Sequence, residues 1–206
     1  ELSRSAGFRY ALVHFFAGIL ILVGIAGVIH ETGNIAFDQL EFSNIYCKFI
    51  FVGFLINAGC YPISSWIPDS YPEASYSGAV FLSAFTTKTA VYSILRGFPG
   101  TELLIYLGLI MIFYGIIYAL LENDMRRILS YSIVNQVGFM LVGAGIGTEM
   151  AINGASSHAF AHILYKALLL MSAGSVLYMT GRRNCTDLGG LFQSMPITMI
   201  CGVIGA

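Results

Sequence analysis

Long apolar segments restrict the folds open to this sequence more than any other feature. A run of roughly 20 apolar residues is long enough to cross the hydrocarbon core of a bilayer as a helix. Such runs, separated by short polar or Gly/Pro-containing stretches, cover residues 8–30, 45–66, 76–95, 102–121, 128–147 and 152–180, and another begins near Pro196. The short connections favour antiparallel neighbours. We therefore predict an all-α, polytopic transmembrane helix bundle of about six or seven spans.

The composition excludes several other classes of protein. Hydrophobic residues make up 57% of the chain and charged residues only 10%, whereas about a quarter of a soluble domain is charged. No basic patch suggests nucleic acid. The cysteines show no metal-ligand spacing, so we interpret them as small apolar residues. No cofactor motif occurs, and we predict neither a cofactor nor a metal ion bound by this chain. The cysteines are Cys47, Cys60, Cys185 and Cys201.

The two ends of the sequence suggest a piece of a longer protein. The first residue is Glu1, and Ala206 falls inside an apolar run that has barely begun. We expect residues 1–206 to form part of one transmembrane domain, with about six full spans and the start of a seventh.

The second apolar run is predicted to be a discontinuous helix. It contains Asn57, Gly59 and Pro62, and a proline deep in a span frees a carbonyl group and kinks or breaks the helix. In lipid, a break survives only where protein or a water-filled cavity satisfies the backbone. Broken helices of this kind surround the binding sites of many transporters.

The basic residues of the loops predict an orientation. Threading alternate loops to alternate sides places six arginines on one side and only Lys48 and Arg96 on the other. By the positive-inside rule the arginine-rich side is cytoplasmic. Its arginines are Arg4, Arg9, Arg126, Arg127, Arg182 and Arg183.

Lys88 lies inside the third run rather than in a loop. A charge near the middle of the bilayer costs at least about 2.5 kcal/mol on insertion scales, so it is rare unless it faces a partner or water. One interpretation is a lysine that extends its amine to the interface or is paired structurally. The other is a group that accepts and releases protons, because burial disfavours the charged form of lysine.

The sixth run carries a ladder of ionisable residues. His158, His162 and Lys166 are spaced i, i+4 and i+8, which places them on one helix face over about 12 Å. Histidine titrates near physiological pH, so two histidines leading to a lysine can relay protons. Zinc also uses histidines four residues apart, but the H-E-x-x-H glutamate is missing. Buried structural histidines are the remaining alternative.

Other polar residues give weaker signals. His14, near the start of the first run, is either an interfacial residue or a contributor to a proton path. The fifth run contains side chains that commonly hydrogen-bond between membrane helices, and the loop before it carries charges that we interpret as partly paired at the surface. The first group is Tyr131, Ser132, Asn135 and Gln136, and the second is Glu122, Asp124, Arg126 and Arg127.

Several segments in order resemble one family, the proton-conducting antiporter-like membrane subunits of respiratory complex I and of Mrp-type multisubunit Na⁺/H⁺ antiporters. The sequences Y-P-E-A and T-T-K-T-A-V-Y within two of these segments are most similar to the D subunit of the Mrp-type antiporters. These segments are W-I-P-D-S-Y-P-E-A (66–74), F-L-S-A-F-T-T-K-T-A-V-Y (81–92), E-N-D-M-R-R-I-L-S-Y-S-I-V-N-Q-V-G-F (122–139), H-A-F-A-H-I-L-Y-K-A-L-L-L-M-S-A-G-S-V (158–176) and D-L-G-G-L (187–191).

The resemblance implies an inverted-repeat transporter fold and assigns roles to individual residues. Lys88 matches the lysine that links two half-channels, and His158, His162 and Lys166 match the polar ladder of a later helix. Asn57 occupies the position where the family usually has a lysine, and an amide cannot titrate. Proton entry through the first half-channel must then use another group or be weakened. The candidate proton-path residues are therefore Lys88, His158, His162, Lys166 and Asn57, together with His14 from the sequence itself.

The function implied is a membrane component of a multisubunit monovalent cation/H⁺ antiporter, without a catalytic centre of its own. Its partners would be other membrane subunits, the lipid bilayer, protons and Na⁺ or K⁺, in a bacterial-type inner (plasma) membrane. The alternative is an antiporter-like, proton-pumping subunit of a redox-driven, complex-I-like oxidoreductase or related hydrogenase. A third alternative is a non-conducting scaffold.

Overall fold

A computed structural model describes all of residues 1–206. Five helical segments are long and apolar enough to cross a membrane, and a bent helix pair provides a sixth candidate. The predicted all-α, polytopic architecture is confirmed. The α-helices are α1 (Leu2–Thr32), α2 (Ile45–Ala58), α3 (Trp66–Ser70), α4 (Tyr76–Phe81), α5 (Thr87–Gly97), α6 (Leu103–Leu121), α7 (Met125–Ile146), α8 (Glu149–Thr180), α9 (Leu191–Ser194) and α10 (Pro196–Gly205).

Polar caps define where several helices begin. The Asn44 side chain accepts a hydrogen bond from the Tyr46 amide at 2.7 Å at the start of α2. Asp124 does the same for the amide of Arg126 at the start of α7, at 2.9 Å. Each cap satisfies a backbone N–H that has no partner within its helix. Polar residues beside the apolar runs thus determine where these helices begin.

The predicted discontinuous helix is confirmed. Helix α2 ends at Gly59, whose left-handed backbone (φ 76°) is a conformation that glycine adopts without strain. The chain resumes as a 3₁₀ turn and α3, with a bend of 43° between the two parts. The Ile56 carbonyl accepts from the Gly59 amide and also from the Trp66 indole Nε1, each at 3.1 Å. A protein donor therefore satisfies part of the broken backbone.

The third span contains a π-helical turn that hydropathy does not predict. Residues Leu82–Thr86 form this turn between α4 and α5. The Tyr71 hydroxyl donates to the Leu82 carbonyl at 2.9 Å, which connects the broken helix to the π turn. Single π turns inside α-helices occur often at functional sites, and this one ends immediately before Thr87 and Lys88.

Small residues allow α6 and α7 to approach closely. A Cβ added to Gly138 would lie 2.7 Å from the Gly108 carbonyl oxygen, and a Cβ on Gly108 would lie 2.6 Å from the Gly138 oxygen. Membrane helices commonly pack through small residues in this way. Helix α7 contributes the most residues to the core, which also includes parts of α2, α3 and α5.

The outer surface is apolar. Large hydrophobic side chains project from α1 and α6 without protein cover, as expected of helices that contact lipid acyl chains. The buried polar side chains include Lys88 on α5 and His162 and Lys166 on α8, two helices that pack against each other and against α7.

Candidate functional site

Lys88 lies in the interior of the bundle at the start of α5. Its side chain is only 6% exposed, and its Nζ donates to the Thr87 hydroxyl at 3.1 Å. It forms no salt bridge, because every ion pair in the structure involves an arginine. The structure thus buries a lysine whose only hydrogen-bond partner is a neutral hydroxyl.

The three ladder residues of α8 follow one another on the inner side of that helix. His162 is fully buried and Lys166 is 3% exposed. The imidazole rings of His158 and His162 are 6.2 Å apart between centroids. Neither ring nitrogen of His162 has a protein hydrogen-bond partner, and the same holds for Nε2 of His158. These nitrogens are buried within the bundle.

Helix α7 supplies polar partners for this ladder. Lys166 Nζ donates to the Ser132 hydroxyl at 2.9 Å, and the Tyr165 hydroxyl donates to Gln136 Oε1 at 3.3 Å. Ser132 and Gln136 are four residues apart and face α8 together. The prediction that polar side chains of this span bond between helices is confirmed for both. Their role at the ladder itself was missed, although their i, i+4 spacing matches that of the histidines.

Asn135 and Tyr131 have other surroundings. Asn135 Nδ2 donates to the Ile112 carbonyl of α6 at 2.9 Å, which also confirms an interhelical bond. Tyr131 packs on the ring of Tyr118, with ring centroids 5.5 Å apart. Both residues therefore attach α7 to α6 rather than to the ladder.

Lys88 and the ladder belong to one electrostatic group. Helix α5 packs against both α7 and α8. Lys166 lies close enough for its charge to act on Lys88, and the charge of Lys88 acts on His158 and His162. The structure brings four of the six predicted path residues together at the meeting point of three helices.

His14 and Asn57 lie at the broken helix instead. The His14 ring stacks on Tyr10 at 4.0 Å and meets Trp66 edge-on at 4.6 Å. Asn57 is in the last turn of α2, and its Oδ1 is buried without a protein partner. Neither side chain hydrogen-bonds to or stacks on a residue of α8. They occupy a separate polar region beside α3.

A cluster of charged residues joins three chain segments at the arginine-rich side. Arg183 forms ion pairs with Glu73, at 2.8 Å, and with Asp124. Burial alone would lower the pKa of Arg183, but hydrogen bonds to the two carboxylates, with their charges, raise it. The Arg126 guanidinium donates to the carbonyl of Ala74 at 3.0 Å, in the link between α3 and α4.

This cluster differs from the surface charge predicted from sequence. Asp124 and Arg126 are buried, at 6% and 4% exposure. Arg183, the ion-pair partner of Asp124, and Ala74, an acceptor for Arg126, are distant in sequence, so these contacts could not be found from neighbouring residues alone. Arg127 and Glu122 do form the predicted partly exposed pair, at 3.4 Å. No group of three or more His, Cys, Asp or Glu side chains converges as a metal-binding cluster would.

Comparison with known proteins decides the family. Residues 1–206 match the family described as "NADH:quinone oxidoreductase/Mrp antiporter, TM". The chain belongs to this family. It is 33% identical to the D subunit of the Na⁺/H⁺ antiporter of Alkalihalophilus pseudofirmus, over 91% of this chain and 42% of the relative. It is 29% identical to the M subunit of the NADH-quinone oxidoreductase of Pseudomonas aeruginosa, over 91% of this chain and 42% of that relative.

Solved structures show the same fold. The Mrp complex of Dietzia sp. superimposes with a TM-score of 0.92 at 20% identity, over 99% of this chain and 41% of that one. An archaeal membrane-bound sulfane sulfur reductase superimposes with a TM-score of 0.86 at 24% identity, over 98% of this chain and 45% of that one. The chain spans less than half the length of these relatives. It is an antiporter-like, multi-pass membrane subunit, and such relatives belong to multisubunit complexes.

Proposed function

We propose that this subunit conducts protons through Lys88 and the ladder His158, His162 and Lys166 as part of a monovalent cation/H⁺ antiporter. The observation that carries the proposal is the burial of two lysines, Lys88 and Lys166, on either side of histidines with free ring nitrogens. A buried ammonium without an acidic partner is costly. Selection would retain such a pair where the lysines exchange protons. The sequence likeness to the D subunit of an antiporter supports the antiporter assignment.

The proposed mechanism is a stepwise transfer. A proton held by one lysine repels a proton on the other, because like charges interact strongly where the dielectric constant is low. Arrival of a proton at Lys88 therefore favours release from Lys166, and the histidines carry the proton between them. The neutral hydroxyls of Thr87 and Ser132 hold the two amines in place without neutralising them. The movement of the counter-cation would depend on partner subunits.

The loop charges support an orientation of the chain in the membrane. The cluster around Arg126 and Arg183 would face the cytoplasm of a bacterial-type plasma membrane, and the loop at Arg96 would face outward. The partners would be other membrane subunits, with protons and Na⁺ or K⁺ as the transported ions.

The second candidate function is proton pumping in a redox-driven complex. It is supported by the likeness to the M subunit of NADH-quinone oxidoreductase and by the shared fold with a respiratory reductase. Any redox centre would then belong to partner subunits. The proton path within this chain would be the same, so only the energy source separates the two proposals.

Reconstitution of the complete complex tests the choice between them. Vesicles containing the complex, a pH-sensitive dye and no electron donor are given an outward or inward Na⁺ or K⁺ gradient. The antiporter proposal expects proton movement opposite to the cation, abolished when the gradient is collapsed with an ionophore. Proton movement that begins only when a donor such as NADH is supplied would establish the redox alternative.

A further inference from the structure

A cluster of aromatic side chains lies where α1, α3 and the π turn meet. The Trp66 ring contacts Tyr10, His14 and Tyr71, with ring centroids 5.6, 4.6 and 5.8 Å away. Tyr71 is 1% exposed. The cluster contains two phenol hydroxyls and an imidazole, which are more polar groups than packing alone requires.

The hydrogen bond of His14 defines its proton arrangement. Nδ1 lies 3.0 Å from the Tyr10 carbonyl oxygen, and a carbonyl can only accept, so Nδ1 carries the proton of the neutral ring. Nε2 then presents a lone pair. This atom is buried and has no protein partner. His14 is therefore arranged to accept a proton at Nε2.

The Tyr10 hydroxyl extends from this cluster to the turn that precedes Lys88. It lies 3.4 Å from the Thr86 hydroxyl in the π turn. The next residue, Thr87, bonds to Lys88 Nζ at 3.1 Å. The Tyr71 hydroxyl donates to the Leu82 carbonyl, which holds the turn in place. The Tyr10 and Thr86 hydroxyls thus reach from α1 to the residue that precedes Thr87.

We infer that His14, Tyr10 and Thr86 form a branch that delivers protons from α1 to Lys88, in place of a titratable group at position 57. This branch rests on the proton path proposed above and adds its entrance. Asn57 cannot supply the protons, because an amide does not titrate. His14 is the one ionisable group of the aromatic cluster that is held in an accepting form.

Proton transfer along the branch is balanced at every step. Nε2 of His14 takes a proton from water and passes it through water to the Tyr10 hydroxyl. Tyr10 and then Thr86 each accept a proton on the hydroxyl oxygen and release their own, so both return to neutrality. The proton released by Thr86 passes through water to the Thr87 hydroxyl, which bonds to Lys88 Nζ and hands on its own proton. Neutral Lys88 is the final acceptor and becomes the ammonium ion. No group other than His14 and Lys88 carries charge between steps.

Substitutions in the full-length subunit within its complete complex test the branch. Tyr10→Phe removes one oxygen and preserves the ring, and His14→Phe preserves the stack on Tyr10. We expect each to lower the initial rate of proton flux by roughly tenfold or more, within the range for loss of a proton-transfer group. The matched controls are Tyr178→Phe and His30→Phe, which alter exposed residues and should leave the rate unchanged.

Combined variants separate a proton route from simple packing. If both residues act in one series, the double variant should be no slower than the slower single variant. Unchanged flux in Tyr10→Phe, or losses that multiply in the double variant, would overturn the branch. His14→Gln, with a smaller side chain, replaces His14→Phe if the latter fails to assemble. Proton flux that survives Lys88→Ala would refute the proposed path as a whole. Proton flux that is lost in Lys88→Ala but normal in Tyr10→Phe would refute only the branch.

Discussion

At the scale of single residues, the absence of carboxylates beside the buried lysines matters most. Lys88 and Lys166 hydrogen-bond only to hydroxyls, whereas Arg183 of the charged cluster is paired with Glu73 and Asp124. Arginine keeps its proton in any protein environment, whereas a buried lysine without an acidic partner can release it. The chain thus has paired charges at one end and two lysines without acidic partners in its interior.

His162 provides a direct test of the ladder. His162→Gln keeps a polar side chain at this fully buried position, but an amide cannot bind and release protons. We expect proton flux in the reconstituted complex to fall by roughly tenfold to a hundredfold. Exposed His30, at the end of α1, provides the matched control His30→Gln. Equal flux in the two variants would make His162 a structural histidine.

The sequence predicted the ladder but not its partners. The i, i+4, i+8 spacing of His158, His162 and Lys166 is a property of one helix and is visible in the sequence. The bond from Lys166 to Ser132 depends on how α7 is rotated against α8, which no single segment determines. The pairing of Arg183 with Glu73 crosses 110 positions, so local charge patterns could not predict it.

At the scale of helices, hydropathy located every span but not the irregular turns. The runs at 102–121 and 128–147 match α6 and α7 within about three residues, close to the usual uncertainty of helix ends. Pro62 indicated the break after α2. The π turn was missed because a wider turn inside a helix leaves the apolar run that contains it unchanged. The Leu82 carbonyl in this turn accepts a hydrogen bond from the Tyr71 hydroxyl, which lies at the end of the preceding, broken span.

The glycine contact between α6 and α7 gives a prediction at this scale. In Gly138→Ala the new Cβ would lie 2.7 Å from the Gly108 oxygen and 2.9 Å from Ile112, so the helices must move apart. Overpacking of this kind costs about 1–3 kcal/mol. We expect a lower thermal unfolding midpoint of the purified complex.

Gly154→Ala is the matched control for this change. Gly154 also lies inside a helix but has open space around it, so alanine there should maintain or raise the midpoint. A Gly138→Ala complex as stable as the wild type would show that α6 and α7 are not held at the distance seen here.

At the scale of the whole molecule, the bundle has an apolar exterior and an apolar core that contains two distinct polar regions. One region lies beside the broken helix, with His14 and Asn57, and the other lies between α5, α7 and α8. Lys88 follows the π turn that connects them. This arrangement makes Lys88 the residue on which the proposed proton path depends.

The flux of protons through Lys88 variants is the most direct test of that path. The complete complex is reconstituted with Lys88→Ala, Lys88→Arg or the control Lys48→Ala, which changes an exposed lysine. Proton movement is then followed after an imposed cation gradient, or after addition of an electron donor if the complex is redox-driven. We expect no flux in Lys88→Ala and strongly reduced flux in Lys88→Arg, because arginine keeps its charge and cannot exchange protons at neutral pH. Lys48→Ala should match the wild type. Near-normal flux in both Lys88 variants, with normal assembly, would contradict the proposed path and reduce Lys88 to a structural residue.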